Sequence, residues 1–142
     1  TMSEAERVGS SGEYLTASVL ALYSDTVIII PGSAQADIAF DVNGRLYKCQ
    51  VKTRTQMWKR KKEYHRWSFD LRRGARTKDE RRYSSQEIDI FACVALPLNK
   101  VFFLPNTNPP TQVLKTNKAM LETDSKQTLQ DSLNTLNTAP TL

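Results

Sequence analysis

Ala36-Asp-Ile-Ala-Phe-Asp-Val-Asn-Gly-Arg-Leu-Tyr-Lys-Cys-Gln-Val-Lys-Thr53 is the stretch whose reading decides the fold. Asn43-Gly44 falls between two alternating segments, and a type I′ turn needs positive φ at both of its central residues, so the stretch predicts a tight antiparallel hairpin. Side chains alternate between the faces of a strand. On the first strand Ala36, Ile38, Phe40 and Val42 then form one apolar face, with Asp37 and Asp41 on the other. On the second, Tyr47, Cys49 and Val51 share a face opposite Lys48, Gln50 and Lys52. Asp37 and the Gln-x-Lys run can therefore meet on one surface of one hairpin.

That combination suits metal-assisted hydrolysis of a phosphodiester. A hard cation such as Mg²⁺ or Mn²⁺ takes oxygen ligands, which the Asp37 carboxylate, the Gln50 amide carbonyl and the Val51 backbone carbonyl supply. The cation acidifies its water and offsets phosphate charge, while Lys52 orients that water or stabilises the added charge. An acidic residue, a short gap and then (D/E/Q)-x-Lys at the end of the next strand resembles the PD-(D/E)xK nuclease superfamily. The resemblance implies a restriction-endonuclease-like α/β fold, a central mixed β-sheet with flanking helices. Two departures stand out: Ala36 occupies the place of the superfamily proline, and Gln50 that of an Asp or Glu, which leaves the site one carboxylate short.

The sequence predicts a helix from Ser3 to about Tyr23, with Val8, Leu15, Val19 and Leu22 along one side and Ser-x-x-Glu near its start. By position Glu13 is an acid that favours the helix macrodipole. In the nuclease superfamily a glutamate of the N-terminal helix reaches the metal site, in a Gly-x-x-Gly-Glu context that Gly9, Gly12 and Glu13 reproduce, and the small glycines allow close approach to the sheet. The set Glu13, Asp37, Gln50 and Lys52 is similar to that of the bacterial group I intron-encoded homing endonucleases with the Gln-x-Lys variant, over residues 7 to 105. This likeness implies a site-specific endonuclease acting on double-stranded DNA. A double-strand cut then requires a homo-oligomer, a dimer or tetramer, because one such site cuts one strand. In the same family Tyr83 and Asp89 take structural places.

Thr26 to Pro31 is a continuous β-branched run, expected as a central strand buried on both faces. Residues 54–82 then change character: twelve Lys/Arg stand against four acids, a net of +8 in a chain whose total is +5. The excess charge thus belongs to one insertion, and it is interleaved with Trp58, Tyr64, Trp67 and Phe69. From Glu63 to Arg72 the pattern alternates, His65, Trp67, Phe69 and Leu71 facing one way and Tyr64, Arg66, Ser68, Asp70 and Arg72 the other. This predicts a basic β-ribbon packed by its aromatics, whose polar face enters a DNA major groove. Arg54, the Lys59-Arg60-Lys61-Lys62 run and Arg72, Arg73, Arg76, Lys78, Arg81 and Arg82 are expected to grip phosphates.

Ile88 to Leu96 and Val101 to Leu104 are expected as the last two strands. Residues 1–105 therefore read as the nuclease domain, with 54–82 as its DNA-binding insertion. Residues 106–142 read as a polar linker, marked by Pro109-Pro110, and a tail in which Leu129, Leu133 and Leu136 permit a short amphipathic helix.

Composition narrows the alternatives. At 142 residues, 39% apolar and 25% charged, the chain has the makings of one globular domain. No apolar run approaches the ~18 residues of a membrane span. Cys49 and Cys93 fall inside expected strands and read as reduced core thiols, which places the chain in the cytoplasm. With one histidine, His65, no His-based mechanism, zinc spacing or Ser/His/Asp triad can be assembled. Two other readings of the residues stay open: a Holliday-junction resolvase of the same fold, and a non-catalytic DNA-binding module whose Gln50 marks a decayed metal site.

Overall fold

Strand β3, Arg45–Arg54, is the spine of the molecule, pairing antiparallel with β2, Ile38–Val42, on one side and parallel with β7, Ile90–Ala95, on the other. The computed structural model describes residues 1–32, 35–60, 64–72, 83–107, 112–136 and 142, without the side chains of 58–60, 64, 65 and 118. The expected hairpin forms: Asn43 and Gly44 turn with φ of 49° and 81°, both in the left-handed region a type I′ turn requires. Strands β1, Val27–Ile29, and β8, Lys100–Pro105, complete a mixed five-stranded sheet of order β1-β2-β3-β7-β8.

Helix α1, Glu4–Leu20, starts where its sequence says it should. The Ser3 side chain accepts from the Glu6 backbone N–H while Glu6 reaches back to the Ser3 hydroxyl, and Glu4 and Glu6 lie at the positive end of the helix dipole. Its buried line is Gly12, Thr16 and Leu20, four residues apart; Leu22, expected on that face, lies past the helix end and is 73% exposed.

Apolar clusters cover both faces of the sheet. On one, α1 and α3, Ser125–Thr135, pack Leu20, Leu129 and Leu133 over Ile38, Phe40, Tyr47, Cys49, Val51, Ile90 and Phe103. Asp124 caps α3 by accepting from the Gln127 N–H. On the other face Trp67, Phe69, Leu71 and Tyr83 pack against Phe91, Cys93 and Phe102. Both cysteines are free and buried. No helix among the described residues is long and apolar enough to cross a membrane.

Three expectations change in the structure. The Thr26–Pro31 run supplies β1, which among the described residues pairs only with β2 and leaves Ile28 and Ile29 at 49% and 37% exposure, so it is an edge strand. The strand buried on both faces is β7, all six of whose residues are buried. A β-branched run specifies extended backbone and not the number of neighbours. Ala36 precedes β2 and joins the second cluster, away from Ile38, Phe40 and Val42, because the chain leaves the regular ladder before Ile38. The alternating Glu63–Arg72 segment also divides. Strand β4, Trp58–Arg60, pairs with β5, Tyr64–Arg66, whereas β6, Ser68–Asp70, pairs with β9, Val113–Lys115. The alternation itself survives where it is described, with Trp67, Phe69 and Leu71 buried together; the His65 side chain lies outside the described residues. A helix α2, Lys118–Glu122, follows β9, and its Met120 and Leu121 pack against the same cluster.

Candidate active site

The site arises where β2 and β3 part. The β2–β3 register ends at Ile38 opposite Cys49, but β3 runs on to Arg54 with β7 alone beside it. At the fork Asp37 stands in for the missing strand. Its backbone N–H donates to the Cys49 carbonyl at 2.9 Å, and its Oδ2 accepts the Val51 N–H at 2.9 Å. Both main-chain groups of one strand residue point to the same edge. The Val51 carbonyl therefore faces the open side of β3, toward Asp37.

Glu13 comes to this fork from α1. The approach depends on Gly12, where an added Cβ would lie 1.8 Å from Thr53 Oγ1, so helix and strand touch through a position that tolerates no side chain. Gly9 is different. Its Cβ would meet nothing within 4 Å, and it borders an open cleft of about 450 Å³ lined also by Glu4, Val8, Val51, Thr53 and Thr55. Burial and the neighbouring Asp37 carboxylate both hold Glu13 above its ordinary pKa. Burial likewise raises Asp37, opposed by the Val51 hydrogen bond and the Lys52 charge.

Gln50 and Lys52 extend from the opposite face of β3. The Gln50 Nε2 lies 3.5 Å from the Val51 carbonyl, and a half-turn of the amide exchanges its nitrogen for its oxygen at that place. Lys52 Nζ donates to the Arg72 carbonyl at 3.2 Å and to the Tyr83 hydroxyl at 3.3 Å. Burial lowers its pKa, opposed by Asp70 and Asp37. The fork thus holds the Asp37 carboxylate beside the Val51 main chain and the Gln50 amide, with Glu13 near enough to feel the Asp37 charge. Among the described residues no three His, Cys, Asp or Glu side chains cluster as metal ligands. Asp41 stays apart. It accepts from the Ser24 hydroxyl and the Thr26 N–H, at 2.7 and 2.8 Å, which hold it below the usual carboxylate range.

The basic insertion is described in part. Arg54 and Arg66 are exposed, Ser68 is half-buried opposite Lys115, and Arg72 forms a bidentate pair with Asp70 at 2.9 and 3.0 Å. Lys61, Lys62, Arg73, Arg76, Lys78, Arg81 and Arg82, and the side chains of Lys59, Arg60 and Tyr64, lie outside the described residues. Asn106, which donates to the Tyr83, Ser84 and Ile88 carbonyls, and Thr53, against Gly12, acquire their places through packing. Of these only Thr53, at the end of the Gln-x-Lys strand, carried a local signal.

No protein-family model matches the chain, and no curated protein matches its sequence. Among solved structures it is similar to the bacterial homing endonuclease I-Ssp6803I, at 22% identity and a TM-score of 0.63, over 93% of this chain and 88% of that one. The likeness is one of fold.

Proposed function

We propose that the chain is a divalent-metal-dependent endonuclease of double-stranded DNA, cutting a defined site as homing endonucleases do. The observation that carries this reading is Asp37 at the β2–β3 fork, its Oδ2 held by the Val51 N–H beside an open main-chain carbonyl, with Glu13 and Lys52 each near enough to act on its charge. Support for the fold comes from the likeness to a bacterial homing endonuclease. Asp37, Gln50, the Val51 carbonyl and Glu13 would hold Mg²⁺ or Mn²⁺, which acidifies water and offsets phosphate charge when bound. Lys52 positions or deprotonates the attacking water and balances negative charge as the phosphate becomes five-coordinate. Val51, by donating to Asp37 Oδ2, fixes one oxygen of that carboxylate and leaves the other for a ligand.

DNA reaches this fork by way of the basic insertion. Arg54 at the end of β3 and Arg66 on β5 are exposed, and the remaining basic residues of 54–82 supply phosphate contacts, with the salt-dependent affinity such contacts bring. Since one site cuts one strand, a homo-oligomer makes the double-strand break.

The test is cleavage of plasmid and genomic DNA with Mg²⁺ by the wild type and by Lys52→Ala. Discrete fragments that disappear in the variant support the reading and provide the target for mapping. Gln50, a neutral residue in a site with only two carboxylates, favours a second reading, a DNA-binding module that has lost catalysis. Binding that is indifferent to Mg²⁺, with no nicking of linear, supercoiled or four-way-junction DNA, would establish that module; cutting confined to the junction would identify a resolvase.

A further inference from the structure

We infer that Tyr83 is a positioning residue for Lys52, its hydroxyl accepting a hydrogen bond that holds the amine in place before DNA or metal arrives. The inference rests on the proposed role of Lys52 at the attacking water. A lysine side chain carries about 2 kcal/mol of rotamer entropy and has no fixed direction of its own. Here its amine has two fixed partners, the Arg72 carbonyl and the Tyr83 hydroxyl. An ammonium has three N–H donors, so two are committed and one is left for a water or a phosphate oxygen.

Tyr83 is itself held at its ring and at its backbone. Its ring is 7% exposed and meets the edge of Phe91, on β7, at a centroid distance of 5.7 Å and 66°. Its carbonyl accepts from Asn106 Nδ2 at 3.1 Å. That amide is 4% exposed and also donates to the Ser84 and Ile88 carbonyls, at 3.2 and 3.0 Å, so it draws the turn after Tyr83 together around one nitrogen. The Lys52 Nζ lies nearer the hydroxyl, at 3.3 Å, than the ring centroid, at 5.2 Å. The hydroxyl therefore fixes the amine, and the ring adds a weaker cation–π attraction. A pre-set amine keeps the catalytic group within reach of the reacting geometry, where a displacement of about 1 Å costs roughly a hundredfold in rate.

Tyr83→Phe separates positioning from packing, because it keeps the ring against Phe91 and removes only the hydroxyl. The first readout needs no cleavage. Lysine labelled with ¹³C at Cε gives one Lys52 resonance, assigned by its loss in Lys52→Arg, whose relaxation reports motion of the amine end on the ps–ns scale. Lys52 is expected to be rigid in the metal-free wild type and mobile in Tyr83→Phe, with melting temperature unchanged. Equal mobility in the two overturns the clamp whether or not the protein cuts DNA. The second readout is single-turnover cleavage at saturating DNA, expected to fall about tenfold or more in Tyr83→Phe with DNA affinity unchanged. A mobile Lys52 with an unaltered rate overturns the positioning role, and Tyr83→Leu, which also removes the ring, is expected to lower the rate further. A wild type that cuts no DNA counts against the nuclease reading and leaves the clamp to the relaxation measurement.

Discussion

Replacing Gly12 by alanine is expected to lift α1 from the sheet and to carry Glu13 with it. The added Cβ would lie 1.8 Å from Thr53 Oγ1, 2.9 Å from its Cβ and 3.0 Å from its Cγ2. Carbon contacts relax near 3.5 Å, so helix and strand must separate by roughly 1.5 Å. Turning Thr53 about χ1 gives only partial relief, because its Cβ is fixed to the strand and stays at 2.9 Å. Overpacking of this kind costs about 1–3 kcal/mol, against a gain of about 1 kcal/mol for alanine over glycine inside a helix. The contact is close enough to place the net loss near the upper end, about 2 kcal/mol. Gly9→Ala is the matched control. Nothing lies within 4 Å of its Cβ, so the same exchange in the same helix should stabilise by about 1 kcal/mol. Urea denaturation of the two variants measures the difference, and calorimetric Mg²⁺ titration should show weaker binding in Gly12→Ala because Glu13 has moved. Adding Thr53→Ala removes the atoms at 1.8 and 3.0 Å and should recover part of the loss, with a coupling of about 0.5 kcal/mol or more. A Gly12→Ala protein as stable as Gly9→Ala, or one with no coupling to Thr53→Ala, would refute the close-approach argument.

Glu13→Gln is expected to stabilise the metal-free protein at pH 7 and to weaken Mg²⁺ binding. A carboxyl raised in the folded state loses its stabilising contribution as pH rises through the folded value, so the gain should vanish in urea melts below the unfolded value of 4.5. Gln50→Glu adds a third carboxylate at the fork and is expected to tighten Mg²⁺ binding; an unchanged affinity by calorimetry would count against Gln50 as a ligand. Ser24→Ala removes the hydroxyl that lowers Asp41. A carboxyl depressed in the folded state stabilises above its unfolded value, so the stability gap from wild type should hold at neutral pH and narrow as pH falls below 3.8. Leu133→Ala is expected to cost about 2–5 kcal/mol by urea denaturation, since Leu133 is fully buried; a loss under about 0.5 kcal/mol would mean that α3 does not belong to the core.

The hairpin and the start of α1 were legible because their causes are local. Asn43-Gly44 carries the positive φ of its turn in two residues, and Ser3 with Glu6 caps the helix within one turn. Alternation along β3 set Tyr47, Cys49 and Val51 against Gln50 and Lys52, and the structure keeps that division. The candidate site was legible as a list of residues for the same reason: Asp37, Gln50 and Lys52 belong to one hairpin, and Gly12-Glu13 marks a helix able to come close.

The sequence by itself thus determined the hairpin, its turn and the alternation along β3. Tertiary structure alone decided which strands are edges, how segments far apart pair, and what surrounds the lysine. The run from Thr26 to Pro31 contains nothing that distinguishes an edge from a centre. Ser68–Asp70 and Val113–Lys115 pair across more than forty residues, and the order of the sheet brings the Arg72 carbonyl and the Tyr83 hydroxyl to the Lys52 amine. A turn or a cap is fixed by the dihedral preferences and hydrogen bonds of a few neighbours. An edge, a remote pairing or a held amine is fixed by packing free energy summed over the whole core, and no short window of sequence contains that sum.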